Sequence, residues 1–60
     1  MPTKIYVWIY LLVSERPRAF ASFQAVQTAA ARYDLRLVGD HWEVYHEGLL
    51  HAVVWETTLY

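Results

Sequence analysis

Three histidines and four carboxylates crowd the C-terminal third of the chain: His41, His46 and His51 with Asp40, Glu43, Glu47 and Glu56. Imidazole and carboxylate ligate divalent metals, and imidazole titrates near neutrality, so this is the one group with the residue types for metal or acid–base chemistry. The spacing is that of no metal motif. His46 and His51 fall on the same face, diagonal across a hairpin, where Glu47 or a partner's residue would have to complete a zinc site. Zinc needs three or four ligands at defined distances, so we read these histidines as solvated or hydrogen-bonded and assign no metal and no cofactor.

Glu43 with His41 or Glu56 is the acid–base pair on offer. A hydrolase also needs an activated nucleophile, and Ser14, Ser22, Thr28, Thr57 and Thr58 all serve as caps, turns or strand residues. Sixty residues leave little volume for a closed pocket once a core is built. We expect a protein that is not an enzyme.

Base stacking is the next chemistry to weigh, because Tyr6, Trp8, Tyr10 and Tyr45 on a small sheet would make an aromatic platform. The electrostatic half of such a site is missing. Formal net charge is −1, and the five basic residues (Lys4, Arg16, Arg18, Arg32 and Arg36) are spread along the chain. Nucleic-acid or small-ligand binding on an aromatic face is therefore the alternative to a protein-binding role, which needs only a rigid scaffold and aromatic or arginine anchors.

The elements that would position these residues begin with Ile5 to Val13, apolar at every position. Nine residues fall far short of the ~20 needed to cross a bilayer, and no cleavage site for a secretory signal follows. Read as a strand, the run sets Ile5, Val7 and Ile9 on one face and Tyr6, Trp8 and Tyr10 on the other. Ser14 to Arg18 ends it with polar residues and Pro17. A helix follows, capped either by Ser14 or, later, by Ser22, which would leave Arg18 to Ala21 extended. Ala19, Phe23, Val26, Ala30 and Tyr33 form its apolar stripe. Leu35 to Val38, His41 to His46 and Leu49 to Leu59 read as strands joined by turns at Gly39-Asp40 and Glu47-Gly48.

Tight turns would set Leu37 opposite Trp42, Arg36 opposite Glu43, Val44 opposite His51 and Trp42 opposite Val53. One face then carries Leu35, Leu37, Trp42, Val44, Leu49, Val53 and Trp55 with two histidines, and matches the helix stripe. The other carries Arg36, Val38, His41, Glu43, Tyr45, Leu50, Ala52, Val54 and Glu56. The expected fold is α+β, a single domain over residues 1–60 with a small, mostly antiparallel sheet in the order of elements β-α-β-β-β and one helix on one face.

Composition argues for a partner. With 57% hydrophobic and 17% aromatic residues, no cysteine and a chain near the lower size limit for an independent core, oligomerisation is the remaining support. We expect a homodimer through the second sheet face, with Tyr6, Trp8, Tyr10, Tyr45, Leu50 and Val54 at the interface. A charged residue at position 8 should then give an unfolded chain, and a folded monomer would count against the dimer. Arg16, Arg18, Gln24 and Arg32 are the candidate contacts for a further target.

The leading strand at Lys4-Ile5-Tyr6-Val7, the Phe20-Ala21-Ser22-Phe23 approach to a short helix and the terminal hairpin resemble the very small proteins of bacteriophages and other mobile elements. Many of those act by binding a host protein, counter-defence inhibitors among them. The resemblance implies a cytoplasmic protein-binding inhibitor, and it supplies no functional residue. The initial methionine and the lack of a tag or linker read as a complete small gene product.

Overall fold

The computed structural model describes residues 3–59. Its elements are β1 (Thr3–Tyr10), β2 (Arg18–Phe20), α1 (Phe23–Ala29), β3 (Asp34–Val38), β4 (His41–His46) and β5 (Leu49–Leu59). The strands form one antiparallel sheet in the order β2-β1-β5-β4-β3, with α1 packed on one face. The fold is α+β as expected, with one strand more. No described helix is long and apolar enough to cross a membrane.

The extra strand is β2, and it settles the helix start. Ser22 is extended at φ −146° and ψ 156°, and its Oγ accepts from the Ala25 backbone N–H at 3.2 Å. Arg18–Phe20 are thereby left to pair with Tyr6 to Trp8 of β1. Ala19 accordingly belongs to a strand and not to the helix stripe. A seven-residue helix has too few turns to hold itself in water, so α1 depends on what it buries. It buries Val26, with Ala30 just past its end, against Trp8, Val44, Ala52 and Val54.

Both hairpin turns are where the sequence puts them. Gly39 has φ +62° and is followed by Asp40 without a positive φ, the sign pattern of a II′ turn; Glu47 at +52° and Gly48 at +80° are both positive, the pattern of I′. Leu37 stands opposite Trp42 and Arg36 opposite Glu43, as tight turns require.

The β4–β5 register follows the expectation only as far as Tyr45 opposite Leu50. The register then shifts: Val44 pairs with Ala52, not His51, and Trp42 with Val54, not Val53. His51 is the extra residue of a β-bulge, and because side chains alternate, one extra residue sends everything beyond it to the opposite face. Ala52 and Val54 therefore lie under the helix, while Val53 and Trp55 do not.

The same correction holds for β1. Trp8 pairs with Val54 and Tyr10 with Ala52, so Tyr6, Trp8 and Tyr10 point toward the helix. Volume explains the choice. The helix offers one large ring, Phe23, packed on Tyr6 and Trp42, and beyond it only Val26, Ala29 and Ala30, so along that stretch the sheet must supply the bulk that closes the gap. Trp8 does so, 2% exposed, its ring 6.0 to 6.1 Å from those of Tyr10, Phe20 and Tyr33. Its Nε1 is buried without a hydrogen-bond partner among the described residues.

Candidate functional site

The sheet face away from α1 is uncovered by any described element. Two rows of register neighbours run across it: Val7, Trp55, His41 and Val38, then Ile9, Val53, Glu43 and Arg36. Leu50 and Tyr45 extend it beyond the second row, and Ile5 lies on the β1 side. Chemically the face divides. On β1 and β5 it is mostly aliphatic with Trp55 at 39% exposure, and on β4 and β3 it is polar apart from Val38.

The polar half is tied together. His41 stacks on Trp55 with ring centroids 4.5 Å apart and 27° between planes. Its Nδ1 lies 3.2 Å from an Asp40 carboxylate oxygen, and its Nε2 is 3.8 Å from Glu43 Oε2. Tyr45 donates its hydroxyl to Glu43 Oε1 at 2.7 Å, while the Arg36 guanidinium carbon sits 4.8 Å from the centre of the Tyr45 ring. The bond to Glu43 raises the Tyr45 phenol above its ordinary value, with desolvation and the Glu43 charge adding to it and Arg36 opposing. Of the two partners considered for Glu43, His41 lies beside it and Glu56 does not. Glu56 faces the other way, beside Tyr6, with Lys4 Nζ 3.5 Å from its carboxylate.

His46 and His51 do share a side, their rings 6.5 Å apart. Tyr33 occupies the position between them, stacked on His51 at 4.9 Å and edge-on to His46 at 5.4 Å. Alternation from Leu49, opposite His46, already puts His51 on that side, and the stacked rings close one end of the core. Among the described residues, no three His, Asp or Glu side chains are arranged to hold a metal ion. No enclosed pocket lies among them either.

The residues expected at a dimer interface are divided by the fold. Trp8 and Val54 are core, Tyr6 and Tyr10 are half-buried against it, and Tyr45 and Leu50 are on the open face. A base-stacking platform of Tyr6, Trp8, Tyr10 and Tyr45 is likewise not presented, since three of the four rings are committed to the helix side. Of the candidate target contacts, Arg18 pairs in register with Trp8, which puts it on the helix side, its guanidinium 4.9 Å from the Phe20 ring centre. Gln24 lies on α1, Arg32 follows it, and Arg16 is in the connection before β2, all exposed. They are not gathered with the open face.

Ile5, Val7, Ile9, Val53 and Trp55 are the surface residues that sequence reasoning assigned elsewhere or left unused. The signal that could have found them is the smallness of the helix beyond Phe23: Val26, Ala29 and Ala30 call for the aromatic side of β1 and leave the aliphatic side outward. No protein-family model matches the chain, no curated protein matches its sequence, and no solved structure matches its fold.

Proposed function

We propose that this chain is a small, non-catalytic, homodimeric protein-interaction module that binds a host defence protein and blocks it, in the manner of the phage-encoded inhibitors it resembles. The supporting observation is the open sheet face, aliphatic on one half and carrying a tied His41–Glu43–Tyr45–Arg36 group on the other. The chain exposes 4507 Å², about a tenth more than the ~4,100 Å² expected of a compact protein of its mass. A surplus of that sign suits a fold that has one covering layer where two are called for.

Such a face is a sound anchor for a protein partner. A tryptophan at its centre, flanked by valines and rimmed by charge, has the composition of an energetic hot spot, and blocking by steric cover needs no turnover. Action in the cytoplasm of an infected cell follows from the same reading.

The test is plating efficiency in a panel of bacterial strains, each carrying one defence system and challenged with a phage that the system restricts. Expression of the chain should restore plaques in one strain, and Trp55→Ala, which leaves the core intact, should abolish the rescue. Folded protein expressed at the wild-type level with no rescue in any strain would remove the inhibitor reading.

A further inference from the structure

We propose that two copies of this chain join edge to edge through β3, each extending the other's five-stranded sheet. This rests on the reading of the protein as a homodimeric interaction module and names the surface that makes the dimer.

The two edges of the sheet differ. β2 is three residues long and follows Pro17, whose nitrogen has no hydrogen to donate, and short proline-flanked edges resist pairing. β3 has five residues, no proline and an unbroken register with β4 from Asp34 opposite Tyr45 to Val38 opposite His41. Its outer side has no strand beside it among the described residues.

The Gly39-Asp40 turn fixes which backbone groups face outward. In a two-residue hairpin the flanking pair, here Val38 and His41, exchanges hydrogen bonds. Val38, Arg36 and Asp34 therefore direct their N–H and C=O groups to β4, and Leu35 and Leu37 direct theirs outward. Two such edges can pair antiparallel only with leucine positions opposite leucine positions, or opposite Tyr33 or Gly39 at the ends, so three registers are open.

Charge selects among them. Centred on Arg36, the pairing sets Arg36 against the second copy's Arg36. Centred on Leu37, it sets Arg36 against Val38 and carries Asp34 past the end of the strand. Centred on Leu35, it sets Asp34 opposite Arg36 twice, once on each side of the two-fold axis. Those two are non-hydrogen-bonded pairs, the kind in which opposing side chains stand closest. Both residues are exposed, and among the described residues neither has an ion-pair partner of its own. The same register brings Leu37, at 66% exposure, opposite Tyr33.

A two-fold axis perpendicular to the sheet keeps both helices on one side and both open faces on the other. Ten strands at ~4.8 Å make a continuous platform ~43 Å wide, suited to an elongated or oligomeric target that engages both halves. The edge alone buries less than the ~1,200 Å² of a stable interface, so association depends on concentration and tightens on such a target.

The experiment is sedimentation equilibrium of the full chain from micromolar to millimolar concentration, for wild type, Asp34→Arg, Arg36→Asp and the double exchange, with folding followed by circular dichroism. Wild type should approach twice 7.1 kDa. Each single exchange turns two attractive pairs into two repulsive ones and should weaken association ~30-fold, and the double exchange should restore it. Monomer at every concentration, single variants that associate like wild type, or a folded double variant that stays apart would each overturn the proposal. Trp55→Lys should leave self-association unchanged; if it alone dissolves the dimer, the joint is the open face and not the edge. The two readings fail separately. A chain that associates through β3 yet rescues no phage keeps the edge joint and loses the inhibitor reading, whereas a monomer that still rescues does the reverse.

Discussion

Deleting His51 should leave the fold standing, although removing one residue from a central strand ordinarily turns every later side chain to the wrong face. His51 is the surplus residue of the bulge: Tyr45 already pairs with Leu50 and Val44 with Ala52, so its removal joins two stretches that are in register. What is lost is its stacking on Tyr33 at 4.9 Å and 14°, and its edge contact with Tyr10 at 5.7 Å and 89°, while the 2.9 Å bond its carbonyl accepts from the Leu11 N–H must pass to Leu50, which then precedes Ala52. Aromatic pairs of this kind contribute ~0.5–1.5 kcal/mol each, so the cost should be ~1–3 kcal/mol. A domain of this size has ~3–9 kcal/mol in total, and the deletion should fold with a lowered urea midpoint. Deleting Glu43 from β4, which has no bulge to absorb it, turns either Trp42 or Val44 out of the core and should unfold the chain. Urea titration of both variants, followed by tryptophan fluorescence and far-ultraviolet circular dichroism, separates the cases. If the His51 deletion is as unfolded as the Glu43 deletion, the bulge and the face assignment built on it are wrong.

Two further variants probe the core and the open face. Trp8→Phe removes the buried Nε1 that lacks a partner among the described residues, which offsets the lost ring volume, so its stability should lie within ~1.5 kcal/mol of wild type while Trp8→Ala loses ~3–5 kcal/mol or fails to fold; a Phe variant as damaged as the Ala variant would refute that offset. Trp8→Lys should unfold the chain whether or not it dimerises, because Trp8 lies beneath the helix. Tyr45 should deprotonate above the ordinary phenol range, and Glu43→Gln should bring it back toward that range, as read from the Tyr45 ring carbon in an NMR pH titration. The folded value is the raised one, so the stabilisation is present in full below the unfolded phenol value and is lost as pH rises through the folded value. Titration of Tyr45 unchanged in the Gln variant would contradict the hydrogen bond as its main cause.

Much of this architecture is legible along the chain because it depends on neighbours in sequence. Gly39-Asp40 and Glu47-Gly48 carry the glycines that positive φ values call for, and they set the registers next to them. The strand from Leu49 to Leu59, the hairpin before it and the helix stripe from Phe23 to Tyr33 follow from spacing and turn chemistry. The three-residue β2 was visible only as one of two possibilities, because Arg18–Phe20 carries too little pattern to specify a strand without β1 beside it.

The candidate site was legible in half. Arg36, His41, Glu43, Tyr45 and Leu50 were grouped on one face, because their register depends on turns the sequence specifies. Their companions were exchanged: Val53 and Trp55 for Ala52 and Val54, and the aliphatic side of β1 for its aromatic side. A bulge leaves little local mark, since nothing about His51 in its own neighbourhood distinguishes an extra residue from a paired one.

The sequence by itself determined the α+β class, the two tight hairpins, the amphipathic helix and an excess of apolar surface over what one helix can cover. Only the tertiary structure decided which surface is left over. That choice rests on two terms no local pattern contains: the volume that Val26, Ala29 and Ala30 leave beyond Phe23 for Trp8 to fill, and one unpaired residue in β5 that reverses the two faces beyond it.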